Sequence, residues 1–491
     1  MADFTDLQIQ FRLAKKLSND GTQSTHDVLA TIDGTGSWHG ESTIDYEQLA
    51  EAEQDHRQYG TRLGEFLFNP AIMNALRRAR GRQERPVRIR LWLEMGPNGE
   101  REDQHGLRWE RAFVVVNGKE WPLAMTSELP FSRYVPGPYT DLDASDDSVF
   151  RLLVVFASPD NLAPGQQPLE VDADLSTLLD GVDLLAQGRG FRLAVMPGRT
   201  PISDVLQARL AASQIEVVKG PSTIDSIARS VHDCHGLHIV AHGTMNPQTQ
   251  HGALVLEDQA GRRAFAFDDE LYPWMHPDLR VVVLQSCQSA TPPSKLGRPF
   301  VNIGPRLVQL GVPAVVAMQD YVAMDDARVF AAAFYRSLVQ NGLVDVAMNQ
   351  GRQAMFQKSN NDNFSIPALF MCLKEGRLWW PAPLRSAVAA ELAYSVIDEQ
   401  DERMLCELLF RLVVRLRERP EMLQSLDATA FWAAVRKIRP HASTIEDLRA
   451  VNAELGKEPA PGPLWAAWVR NVRAIELAAL LQHPDMTQVS A

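Results

Sequence analysis

Two short apolar runs, each ending in a reactive side chain, limit what this chain can fold into more than any other feature. The first is His235-Gly-Leu-His-Ile-Val-Ala-His242-Gly243-Thr244 and the second is Val281-Val-Val-Leu-Gln-Ser-Cys287-Gln-Ser-Ala290. Neither alternates apolar with polar residues, so each reads as a strand buried on both faces of a parallel sheet. Open α/β sheets place their ligands beyond the carboxyl ends of the strands. The expectation is therefore that His242 and Cys287 emerge side by side at one edge of a sheet.

That pairing points to a definite chemistry. A thiolate is the nucleophile, and a neighbouring imidazole takes its proton or holds the anion. Gly243 allows a close backbone approach to a substrate carbonyl, and the amides of Gly243 and Cys287 are candidates to receive the oxyanion. A buried Cys at a strand end and a His in a loop also occur as plain structure. Two separate strand-end motifs agreeing on one mechanism favour catalysis over that reading.

Composition narrows the remaining classes. The 491 residues are 45% hydrophobic and 22% charged, an ordinary globular balance with room for two or three domains. No apolar run approaches the roughly 18 residues of a membrane span, and Met1-Ala-Asp-Phe-Thr-Asp shows no signal-peptide pattern. The cysteines, at 234, 287, 372 and 406, are scattered and none has zinc spacing. A reducing, cytoplasmic setting is expected, with no metal or organic cofactor. A net charge of −12 without a large basic block argues against nucleic acid as a partner. Cys234, in Asp233-Cys234-His235, superficially resembles a nucleophile beside a base, but residues adjacent in sequence seldom face each other. No Walker loop, dinucleotide fingerprint or Gly-x-Ser-x-Gly elbow is present.

Along the chain, Leu7–Leu13 and Val87–Leu91 alternate as half-buried strands, and Tyr46 to about Arg80 has one helical period. Asn117-Gly118 predicts a hairpin between Ala112–Val116 and Trp121–Leu123. From Leu152 to Ala241 strand and helix patterns alternate, as in βαβ units. A hairpin turning at Asp258-Gln-Ala-Gly261 is expected between the two reactive strands, and a Pro-rich loop from Thr291 follows Cys287 and is placed to cover the site. Arg262, Arg263, Lys295 and Arg298 read as solvated basic loop residues; their alternative role is as processing sites for activation. Helix is expected over Pro305–Leu310. The resulting division is 1–145, an N-terminal α/β half; 146–383, the half bearing His242 and Cys287; and 384–491, a small all-α bundle.

Several short segments then carry a resemblance. Leu107-Arg-Trp-Glu110, Phe131-Ser-Arg-Tyr134, Leu153-Val-Val-Phe-Ala-Ser-Pro159, the two strand-end motifs, Gly311-Val-Pro-Ala-Val-Val316, Ala331-Ala-Ala-Phe-Tyr335 and Ile366-Pro-Ala-Leu-Phe370 occur in an order that resembles a bacterial CHAT domain, over about residues 5–380. This is a caspase-like peptidase domain related to caspases and separases. The His-to-Cys spacing, 287 − 242 = 45, is near the roughly 50 of caspases, and Gln285-Ser286-Cys287-Gln288-Ser289 resembles the caspase signature except at its final Gly.

The resemblance implies a caspase-like, mostly parallel sheet flanked by helices, with residues 1–145 as its non-catalytic half. It implies a cysteine endopeptidase acting in bacterial stress or phage defence on one dedicated protein, such as a gasdermin-like protein or a protease zymogen. An activating protein partner is also implied, and the helical tail is a candidate adaptor. In the separases, a Trp-Asp pair ends the strand after the nucleophile's helix, and its Asp meets a substrate arginine; Gln319-Asp320 stands at that place. Asp320 is therefore the candidate to read Arg, with Lys second, just before the cut. The rival reading is a catalytically silent scaffold that binds proteins through its helical tail.

Overall fold

Apolar runs separated by helical periods fold here into one long sheet. The structure is a computed structural model that describes residues 4–32, 35–81, 86–95, 103–116, 118–140, 142, 149–164, 166–186, 191–245, 252–286, 299–320 and 322–379. The bundle expected over 384–491 lies outside the described residues. Ala2–Asp143 and Phe150–Leu378 form one compact unit. No helix among the described residues is long and apolar enough to cross a membrane.

Among the described residues, the half carrying the reactive motifs holds six parallel strands. In chain order the elements that build the sheet begin with β1 (Thr5–Leu17), β2 (Gln23–Ile32), β3 (Gly36–Asp45), β4 (Val87–Leu93) and β7 (Phe131–Tyr134); β5 (Phe113–Val116) and β6 (Lys119–Pro122) form a separate hairpin. Then come β8 (Phe150–Ala157), β9 (Phe191–Met196), β10 (Glu216–Val217), β11 (Gly236–Met245), β12 (Gly252–Glu257), β13 (Arg263–Phe267), β14 (Val281–Ser286), β15 (Ala314–Met318) and β16 (Pro367–Met371). Their order across the sheet is β10-β9-β8-β11-β14-β15-β16-β7-β4-β1-β2-β3, with β12 and β13 added to the end of β11. Strands β10, β9, β8, β11, β14 and β15 are mutually parallel, β12 and β13 are antiparallel additions, β16 is antiparallel to β15, and β16, β7, β4 and β1 are again parallel. The expected mostly parallel sheet with flanking helices is what forms.

The flanking helices are α1 (Tyr46–Glu51), α2 (His56–Leu67), α3 (Pro70–Arg80), α4 (Val171–Ala186), α5 (Asp204–Ala212), α6 (Ile224–Val231), α7 (Pro299–Leu310), α8 (Met324–Asn341) and α9 (Val344–Ser359). Strands β8, β11 and β14 are buried almost without interruption, because helices cover both faces.

Three local readings change. The period over 46–80 is split into three helices, because Asp55 and Asn69 each turn a side-chain oxygen onto the first N–H groups of a new helix and Pro70 opens the last one. Strands β2 and β3 have no counterpart in the sequence reading: their inward positions include Ser24, His26 and Ser42, which disguise the alternation. Helix α7 begins at Pro299 rather than Pro305, and Pro305 sits inside it. The expected hairpin forms between β5 and β6, with Gly118 at φ +74°, a conformation that favours glycine.

Candidate active site

The position of His242 follows from a change of partner along β11. Up to Ala241 the strand is held on both sides by parallel neighbours, with Ala241 opposite Ala157 of β8 and Ser286 of β14. From His242 onward it pairs instead with antiparallel β12, His242 opposite Val255 and Gly243 opposite Leu254. The strand thus continues through His242 and Gly243, because β12 takes over the ladder where β8 and β14 stop. His242 stands at that changeover, beyond the carboxyl end of the parallel sheet. Cys287 directly follows Ser286, the last described residue of β14, and lies outside the described residues together with Lys295 and Arg298. The strand carrying the imidazole and the strand leading to the thiol are therefore neighbours, in register to one residue short of both groups.

His242 is almost wholly buried. Its Nε2 lies 2.9 Å from the carbonyl oxygen of Gln167, in the loop between β8 and α4. A carbonyl only accepts, so Nε2 carries the proton and Nδ1 is the unprotonated, basic nitrogen. Nδ1 has no hydrogen-bond partner among the described residues. Burial holds the imidazole below the usual histidine pKa, partly offset by the Gln167 bond. A neutral imidazole with a free Nδ1 is the form that accepts a thiol proton.

The end of β15 brings in residues whose role the sequence did not reveal. Gln319 is buried, accepts from Arg133 Nη2 at 2.6 Å, and donates to Glu110 Oε2 at 2.7 Å and to the Ser365 carbonyl at 2.9 Å. Arg133 also grips Glu110 with two nitrogens, at 2.9 and 2.6 Å. Burial pushes the Glu110 carboxyl up, but the Arg133 guanidinium outweighs it and leaves the group below its usual value. Next to this knot, Asp320 is ion-paired with Arg108, which also lies 3.8 Å from Asp362. The carboxylate assigned to a substrate cation thus already holds a cation of the chain's own. Leu107–Glu110 and Phe131–Tyr134, quoted above only as matching segments, supply this scaffold.

The other candidate residues are placed as follows. Arg262 is exposed in the β12–β13 turn, which Asp258 closes by accepting the N–H groups of Ala260 and Arg262 at 2.8 Å. Arg263 opens β13, and its N–H donates to Asn161 at 2.6 Å. These two arginines therefore sit on a fixed turn rather than in an extended loop. Cys234 is buried, its Sγ donates to the Ser230 carbonyl, and burial raises its thiol to about 11, which suits an inert cysteine. Among the described residues no cluster of three or more His, Cys, Asp or Glu side chains is arranged to hold a metal ion.

His238 lies four residues before His242 on the same strand and is fully enclosed, its ring 5.6 Å from that of Tyr335 on α8. Burial lowers it to about 4, with only the nearby Gln285 side chain acting in the opposite sense. The folded value is below the unfolded one, near 6.5. Its contribution to stability is therefore complete above pH 6.5 and is lost as the pH falls toward 4. The expected loss is about 3 kcal/mol. Urea unfolding at pH 7 and pH 4.5 should show the wild type losing about 2 kcal/mol more than His238→Leu, the greater part of that total; equal losses would place His238 outside the core's pH sensitivity.

Among solved structures, the chain is similar to the pro- and mature-domain complex of Porphyromonas gingivalis RgpB, with a TM-score of 0.36 and 9% identity over 68% of this chain and 76% of that one. It is also similar to the Saccharomyces cerevisiae separase–securin complex, with a TM-score of 0.39 and 8% identity over 76% of this chain and 30% of that one. Comparison with curated proteins finds no match. The CHAT domain family model matches residues 59–439. That match covers well over half of the sequence, and the chain belongs to the CHAT domain family.

Proposed function

We propose that this chain is a cysteine endopeptidase working through His242 and Cys287. The observation that carries the reading is the His242–Gln167 bond: it fixes the proton on Nε2 and leaves Nδ1 basic, one residue beyond the register pair Ala241–Ser286. In the proposed reaction His242 takes the Cys287 thiol proton and the sulfur attacks the scissile carbonyl. Backbone N–H groups at Gly243 and Cys287 receive the oxyanion. The tetrahedral adduct then collapses, the C–N bond breaks, and the amine leaves with the proton from His242. Water, giving a proton to the same imidazole, hydrolyses the thioester and restores the thiol.

The proposed substrate is a dedicated protein cut after arginine, with lysine second, in a cytoplasmic bacterial stress or phage-defence pathway. A gasdermin-like pore former or a protease zymogen fits that description. An activating protein partner and processing at Arg262, Arg263, Lys295 or Arg298 belong to the same proposal, with 384–491 as the adaptor. Since Arg108 holds Asp320, a substrate arginine must displace it, and Asp362 is near enough to retain the displaced guanidinium.

The test uses peptides bearing a thiol-reactive warhead, with Arg, Lys, Asp, Leu or Met before the reactive carbonyl, followed by mass mapping. Labelling of Cys287, fastest with Arg and losing that preference in Asp320→Ala, is the expected result. Labelling of Cys234 instead, or no selective labelling, would leave the silent scaffold as the better reading. Preference for Asp or Leu would remove Asp320 from the pocket.

A further inference from the structure

Glu257, the last residue of β12, is 1% exposed and has no ion-pair partner among the described residues. A buried carboxylate without a cation is costly unless hydrogen bonds replace its water. Here backbone N–H groups do so: Oε2 accepts from Ser222 at 2.8 Å, and Oε1 accepts from Arg199 at 3.2 Å and from Ser158 at 3.4 Å. Those donors come from three segments, the loop after β8, the loop after β9 and the turn before α6. The Glu257 N–H donates back to the Ser222 carbonyl at 3.2 Å, and Ser222 Oγ donates to the Phe156 carbonyl at 2.7 Å. Gly198 allows this approach: it has φ +68°, and a Cβ there would lie 2.6 Å from Oε1.

One of the three segments leads to His242. Ser158, whose N–H meets Glu257, turns its Oγ to accept from the Leu169 N–H at 3.2 Å. That bond pins the far end of the β8–α4 loop, two residues from Gln167, whose carbonyl holds His242 Nε2. Asp160 N–H, donating to the Gly261 carbonyl at 2.9 Å, ties the same loop to the β12–β13 turn. Glu257 thus lies on the strand that pairs with His242 and also fastens the loop that orients it.

We propose that Glu257 is a positioning residue for the dyad, its carboxylate fixing the 158–169 loop so that the Gln167 carbonyl holds His242 with Nδ1 free. This inference rests on the reading of His242 as the base. Glu257→Gln keeps the shape but sets an NH2 against one of the backbone donors, whereas Glu257→Asp keeps the charge and all acceptors at a shorter reach.

The experiment is nitrogen-15 NMR of the histidine rings in the full chain, with His242 assigned from a His242→Gln sample, alongside single-site kinetics normalised by warhead titration of Cys287. Wild type is expected to show His242 as the Nε2–H tautomer titrating below 6.5. Glu257→Gln is expected to mix tautomers, move that titration toward 6.5, and lower kcat per titrated site by about 10- to 100-fold with KM little changed. Glu257→Asp should recover part of both. An unmoved His242 spectrum and titration in folded Glu257→Gln overturns the proposal. So does a loss confined to the number of titratable sites, with kcat per site intact. Failure of wild type to label at Cys287 would overturn the peptidase reading instead, and the NMR comparison would still decide whether Glu257 positions His242.

Discussion

Replacing His242 by alanine should lower turnover by about two to four orders of magnitude, the scale of a general acid–base group. Cys287→Ala should abolish it, since no other group in the dyad can form the thioester. The two losses differ in kind. Without His242 the thiol must ionise unaided, so residual activity should rise steeply with pH as thiolate forms. In the wild type, neutral imidazole is required, and burial holds His242 below the usual 6.5, so the acidic limb of kcat/KM should fall below that value. Full pH–rate profiles of wild type and His242→Ala, beside end-point assays of Cys287→Ala, check both. A His242→Ala enzyme with wild-type turnover at neutral pH, or an acidic limb well above 6.5, would remove His242 from the base role. Activity surviving in Cys287→Ala would remove the nucleophile.

Much of this arrangement is legible in the chain because burial on both faces leaves a sequence trace. The alternation expected from Leu152 to Ala241 is realised as β8 to β11 with α4, α5 and α6 between them, Ser203 and Thr223 capping the last two helices. His242 and Cys287 stand out for a related reason, since each is a reactive side chain where a buried apolar run ends. What escapes is carried by contacts distant in sequence. The Gln167 carbonyl that orients His242 is a backbone group 75 residues away, with no residue-type signature. The Arg108–Asp320 pair spans 212 residues, and nothing local marks Arg108 as more than a charged loop residue. Glu257 reads as the polar end of a hairpin strand until the loops closing on its carboxylate are seen. The meander of β2 and β3 is hidden because its inward positions carry Ser and His, paired through Ser24 Oγ and His26 Nε2 at 2.7 Å.

The same long-range wiring supplies the largest expected effect on stability. Arg133 and Glu110 are both almost inaccessible, with side chains 4% and 0% exposed. Removing one member of a buried, hydrogen-bonded pair strands the other, which costs about 3–5 kcal/mol, a large fraction of a typical folding free energy. Glu110→Ala should therefore destabilise the described unit by that amount. Among the described residues it leaves Arg133 with Gln319 and the carbonyls of His105 and Leu107 as acceptors, and it takes away the carboxylate to which Gln319 donates. Trp109, fully buried beside Glu110, makes the transition visible by fluorescence during urea unfolding. The double change Glu110→Leu with Arg133→Met removes both charges at once and should lose less than either single change, because no ion remains unpaired. Equal or additive losses would show that the pair contributes through packing alone. Because Gln319 and Asp320 are held from this knot and from Arg108, the single variants should also weaken discrimination before the cut under conditions where they remain folded. A Glu110→Ala protein of unchanged stability would mean that water replaces the carboxylate, and that the end of β15 is held by backbone bonds such as Gln319 N–H to the Ile366 carbonyl at 2.8 Å.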